Sequence, residues 1–286
     1  MSVTSFTAQL PVPPRIVTLA GLTDADTDGD VDVVAGTERP RQSEQLRQVD
    51  HEPVLAARLR GVVMPPVPEP PGPARMAFHH WLDDIDDELI GGALLVAEVL
   101  PRAARAFLGG DRAVVDEVRA MAADVDERCR RVESQGFLLL ARESPMAGDL
   151  RRLVGILRLV TAVERSAALL RHIGEAVERV DAPTLPPGIR ATIDELGTAT
   201  ADVFRQGIDA WRRRDALAVH EIDRLDGAVD RLQVQLLDSA REQVDGAAEL
   251  LLLGLLARYY ERIGDHGVSF AQHATFAVTG ERVDVG

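Results

Sequence analysis

Residues 222–236 read I-D-R-L-D-G-A-V-D-R-L-Q-V-Q-L, with Ile222, Leu225, Val229, Leu232 and Leu236 spaced 3, 4, 3 and 4 residues apart. That spacing places all five apolar side chains on one stripe of an α-helix and leaves the acids and arginines on the remaining surface. The same period holds outward from this seam through most of the chain. It predicts six long helices, over residues 76–108, 112–141, 145–180, 187–213, 216–242 and 246–279. Asp111, Asp215 and Asp245 are the expected N-caps of the second, fifth and sixth helices, and Ser144-Pro145 the expected cap and first residue of the third. Arg212, Arg213 and Arg214 end the fourth, where cations favour the helix C-terminus.

The six segments repeat. Ala106-Phe107 ahead of Asp111 returns 104 residues later as Ala210-Trp211 ahead of Asp215, and Val163-Glu164-Arg165 returns 97 residues later as Tyr260-Glu261-Arg262. The fold class expected is therefore all-α: two tandem three-helix bundles, with residues 76–182 as the first repeat and 183–286 as the second. Ahead of them, residues 1–75 hold most of the prolines and show no sustained period. This composition predicts a disordered extension ending in a polyproline-like linker, Pro65 to Pro73. Within it, Asp24, Asp26, Asp28, Gly29, Asp30 and Asp32 resemble one calcium loop. Ala35 stands where a bidentate Glu would close an EF-hand, so a solvated acidic loop is the simpler reading.

Composition narrows the chemistry. The 286 residues contain 32 arginines and no lysine, against 46 acids, for a net charge of −14. Without lysine there is no Walker-type phosphate loop and no Schiff-base chemistry. The acidity argues against wrapping nucleic acid. One cysteine, Cys129, excludes a disulfide framework. The densest apolar run, Leu250 to Leu256, is too short to span a bilayer, and no secretory leader is evident, so a cytoplasmic protein is expected.

Two pairs of acids then stand out. Asp226 and Asp230 on the fifth helix, and Glu261 and Asp265 on the sixth, are each four residues apart and so share a helix face. If those helices are antiparallel neighbours, four carboxylates converge, and a bound cation is the natural counter-charge. Oxygen ligands suit Mg, Ca, Mn or iron. The alternative is an ordinary acidic surface balanced by Arg224, Arg231 and Arg262. His266, next to Asp265, is a further candidate. In the first repeat the equivalent positions are Ala122 and Asp126, Glu164 and Ala168, so each pair has lost a carboxylate and a metal site there would be weak or lost.

The stretch Tyr260 to Ser269, Y-E-R-I-G-D-H-G-V-S, resembles the helix-end signature of the PhoU family of phosphate-uptake regulators. Met76-Ala77-Phe78-His79, Leu139-Leu140-Ala141-Arg142 and the run from Ser144-Pro145-Met146 to Arg151 agree with it. The resemblance covers residues 76–280. It implies a cytoplasmic, non-catalytic, homodimeric regulator that restrains phosphate uptake and represses the phosphate-starvation response. Its partners would be the phosphate ABC transporter and a sensor histidine kinase, met peripherally at the inner membrane rather than across it. It also implies metal clusters on the acidic motifs, the bound ion being iron, Zn, Mg, Mn or Ca. Ala122, Ala168 and Ser269, which replaces a usual Asn, depart from the family pattern. Two other readings stay open: a metal-free helical scaffold or adaptor, and a metal-dependent enzyme of the carboxylate-bundle type. None of the seven histidines follows a Glu by three residues, so the usual di-iron motif is absent.

Overall fold

The computed structural model describes residues 72–285; the proline-rich segment 1–71 and its calcium-loop-like acids lie outside the described residues. Six helices account for nearly all of the rest: α1 Pro73–Gly109, α2 Ala113–Glu143, α3 Ala147–Glu175, α4 Pro187–Arg213, α5 Val219–Gln243 and α6 Ala247–Thr279. Among the described residues there is no strand. No described helix is long and apolar enough to cross a membrane.

Helix ends follow local chemistry, with corrections. The Asp111 carboxylate accepts the Ala113 N–H at 3.0 Å, but Arg112, not Asp111, occupies the position before α2. Asp215 likewise accepts from Leu217 at 3.0 Å, but residues 216–218 form a turn and α5 begins only at Val219. Gly246, not Asp245, occupies the position before α6. The expected Ser144 cap of α3 is overturned. Ser144 instead ends α2 in the left-handed region, φ 44°, and an extended Met146 precedes α3. A residue whose backbone closes one helix is not free to open the next. The third helix also stops early, at Glu175, where a 3₁₀ turn over Ala176–Glu178 replaces it. Arg212 and Arg213 do occupy the last turn of α4, and Arg214 is its left-handed cap, φ 53°. Pro101 is accommodated within α1, which runs on to Gly109.

Each set of three helices packs mutually, and the two sets meet through α1 against α4 and α3 against α6. Their buried side chains form one continuous core, from Leu82 and Phe107 in the first half to Phe204, Tyr260 and Phe270 in the second. Helices α4 and α6 approach closely at a pair of glycines. A Cβ at Gly207 would stand 2.1 Å from the Gly267 carbonyl oxygen, so only glycine fits there. Polar groups also tie the halves together. Buried Asp86 of α1 accepts from Trp211 Nε1 of α4 at 2.6 Å and from Arg152 Nη2 of α3 at 2.6 Å, which satisfies both of its oxygens. A buried charge so completely bonded is tolerated where an unpaired one would be costly.

Candidate carboxylate site

The packing of α5 on α6 sets Asp226 within electrostatic reach of Asp230, Glu261 and Asp265. They are not equivalent. Asp226 and Glu261 are buried, at 8% and 9% exposure, Asp265 is half-buried and Asp230 is exposed. The cause lies in the seam: Asp226 follows Leu225 and precedes Val229, so its side chain is carried to the edge of the core, whereas Asp230 is turned outward.

Burial without partners is the main electrostatic feature. Asp226 Oδ1 and Glu261 Oε2 are both buried and make no hydrogen bond. Such oxygens favour the neutral acid. Burial first, then the charges of Asp265, Asp230 and Glu261, pushes Asp226 up to about 7. Glu261 is raised by burial and by Asp265, with Arg258 opposing. Asp265 is raised chiefly by burial, with Arg262 opposing and Asp230 adding to the rise.

The counter-ions are only partly those expected. Arg224 is engaged by Glu221 at 2.6 Å rather than by the patch. Arg258, three residues before Glu261, binds its Oε1, and Arg262 stands 4.0 Å from Asp265 Oδ2. The signal for Arg258 was its i, i+3 spacing from Glu261. A second group missed in the sequence is Gly264. A Cβ at this position would lie 2.3 Å from Asp226 Oδ1, so the glycine makes the space that the carboxylate fills.

His266 does not join the patch. It is buried on the other side of α6, where Nδ1 is 2.8 Å from Ser166 Oγ of α3. Burial first, then Arg262 and Arg165, lowers it to about 4, so it is neutral at ordinary pH.

In donor chemistry the patch suits a hard cation: four carboxylates, two with buried oxygens that nothing else satisfies. The side chains do not stand in a coordination shell as they are placed; among the described residues no three Asp, Glu, His or Cys groups are arranged to hold one ion. Glu261 is directed instead at Arg258. In the first repeat, Ala122 is buried, Asp126 and Glu164 are exposed, and Ala168 is half-buried. What these two acids do there is raise the nearby Cys129 thiol, which burial first and then Glu164 and Asp126 push up to about 12.

The PhoU domain model matches the chain twice, over residues 93–177 and 193–274. The Mycobacterium leprae phosphate-specific transport system accessory protein PhoU homolog 1 is 30% identical over 209 residues, 72% of this chain and 94% of that protein. Homolog 2 of Mycobacterium tuberculosis is 29% identical over 209 residues, 72% of this chain and 98% of its own length. Among solved structures, the phosphate transport system regulatory protein PhoU of Streptococcus pneumoniae superposes with a TM-score of 0.66 at 18% identity, and PhoU of Pseudomonas aeruginosa with 0.64 at 24%. They cover 73% and 71% of this chain and all of their own, and support the six-helix fold.

Proposed function

Since the chain belongs to the PhoU family, we propose that it is an accessory regulator of phosphate-specific transport, non-catalytic and cytoplasmic, that restrains uptake and represses the phosphate-starvation response. In this reading it acts as a homodimer, at the inner-membrane surface, on the phosphate ABC transporter and a sensor histidine kinase. The repeat boundary is taken between Ala182 and Pro183. The observation that carries the regulator reading is the two-fold domain match over both three-helix units. A deletion strain carrying a phosphate-starvation reporter tests it. In phosphate-rich medium the reporter should switch on and uptake should rise; a silent reporter with unchanged uptake would remove its support.

The site proposed within this function is a cation held by Asp226, Asp230, Glu261 and Asp265. The unpartnered buried oxygens of Asp226 and Glu261 support it. A bound Mg, Mn, Ca, Zn or iron ion would supply positive charge and a cross-link between α5 and α6. The protein's own part is to hold Asp226 in place through Gly264 and to release Glu261 from Arg258. The pairing of Arg258 with Glu261 favours a second reading, a metal-free adaptor in which arginines supply the counter-charge.

A further inference from the structure

Arg151, Arg158 and Arg165 recur every seven residues along α3, close to two turns, and so share one face over about 21 Å. That face borders α6. Arg151 donates from Nε to the Ala277 carbonyl at 3.3 Å and from Nη2 to that of Val278 at 3.5 Å. Arg158 lines a cavity of about 210 Å³ together with His273, Phe276, Arg282 and Asp284. Arg165 flanks the Ser166–His266 contact, and its charge reaches the His266 ring. A second cavity of about 310 Å³ opens at the Arg151 end, beside Arg214 and Ala277; its two acids, Asp86 and Asp149, are already engaged by Arg152 and His79.

Among the described residues, none of Arg151, Arg158, Arg165 and Arg282 has a carboxylate within 4.0 Å. Arginines elsewhere usually do, as Arg102 with Glu117 at 2.6 Å and Arg119 with Glu175 at 3.1 Å. Arg158, Arg165 and Arg282 are exposed, and Asp284 is the acid that shares their lining. In a chain of net charge −14, this seam concentrates cations that no acid among the described residues pairs with.

We propose that the α3/α6 seam is a docking groove for an acidic segment of a partner protein. Charge complementarity selects the occupant. The groove's form selects a peptide over a membrane surface. Its cations share the lining with apolar Phe276, Ala277 and Val283, and cavities sink beside Arg158 and Arg151, where side chains of an extended segment would enter. The stripe matches about six residues of extended chain at ~3.3 Å each. This inference extends the regulator reading without resting on it, because a groove can bind acidic peptide whether or not the reporter responds.

The test uses the full chain and a fluorescein-labelled decapeptide of alternating Glu and Ala, read by anisotropy at low salt, with a Gln-Ala decapeptide as control. The Glu peptide should bind and the Gln peptide should not. Arg158→Glu with Arg165→Glu should weaken binding at least about tenfold, and Arg158→Gln with Arg165→Gln about threefold or more, a range that partial neutralisation of close charge pairs covers. Arg105→Glu with Arg112→Glu, exposed and away from the seam, changes net charge equally and should leave binding within about twofold. The proposal is overturned by equal binding of both peptides, by no binding up to ~1 mM, or by equal losses in the seam and control variants. It is also overturned if folded protein binds phosphatidylserine vesicles through Arg158 and Arg165 but not the peptide. Circular dichroism verifies that each variant is folded, and the Gln pair decides the outcome if the Glu pair does not fold.

Discussion

The two repeats place the same helix positions against each other and fill them with different chemistry. In the second, Asp226 of α5 lies opposite Gly264 of α6, whose missing Cβ leaves room for the carboxylate. By the offsets that relate the repeats, the first has Ala122 opposite Ala167, both buried. One side has traded two methyl groups for a carboxylate and a space. The acid and the glycine thus belong together, and the first repeat lacks both: its acids are fewer and the space that would receive one is filled. The α4/α6 contact shows the same asymmetry, with Gly207 on Gly267 in the second repeat and Ala103 and Leu170 at the equivalent positions in the first.

The largest way to break this comparison is to give the second repeat the bulk of the first. Gly207→Ala, the residue that Ala103 supplies in the first repeat, drives a Cβ into the Gly267 carbonyl and should destabilise by about 3 kcal/mol, the upper range for overpacking, as a lower urea midpoint. Next comes pH. Asp226 has a folded-state value of about 7 against an ordinary 3.8. The folded state therefore holds its proton more tightly than the unfolded chain, and stability present below pH 4 is lost as pH rises through 7. In chelator-treated protein the loss should approach ~1.4 kcal/mol per pH unit between about 4 and 7, and Asp226→Asn should flatten the slope. A slope unchanged by that substitution would place the titration elsewhere.

A smaller effect is expected from building the missing half. Ala122→Asp alone should cost about 1–3 kcal/mol, because it buries an unpartnered carboxylate against the Ala167 methyl. Adding Ala167→Gly should recover part of that, and adding Ala168→Asp should raise manganese uptake in equilibrium dialysis; no recovery from the glycine would sever the acid–glycine pairing described above. Smallest of all is Arg258→Ala. The arginine is 53% exposed on its side chain, so stability should change by less than ~1 kcal/mol. Manganese affinity should rise a few-fold, as Glu261 loses its competing partner.

Much of this architecture was legible because it is periodic. The 3.6 repeat located all six helices, and the i, i+4 acids on α5 and α6 lie close enough for their charges to act on Asp226. What could not be read was the environment of each acid. Asp226 and Asp230 look alike in sequence, yet one is buried beside a glycine on another helix and the other faces out. His266 adjoins a site acid in sequence but points to Ser166, 100 residues away, because neighbours on a helix diverge by about 100°. The Ser144 cap failed for a local reason: its left-handed backbone closes α2. The Asp86–Trp211–Arg152 tie joins three helices across the repeats and leaves no trace in local spacing.

On this view the second repeat, not the first, is built to hold a cation. Elemental analysis of protein purified without chelator tests that asymmetry, comparing wild type with Asp226→Ala/Asp265→Ala and with Asp126→Ala/Glu164→Ala. Wild type should carry a stoichiometric metal that is lost in the first variant and retained in the second. Equal, sub-stoichiometric metal in all three proteins would contradict the assignment.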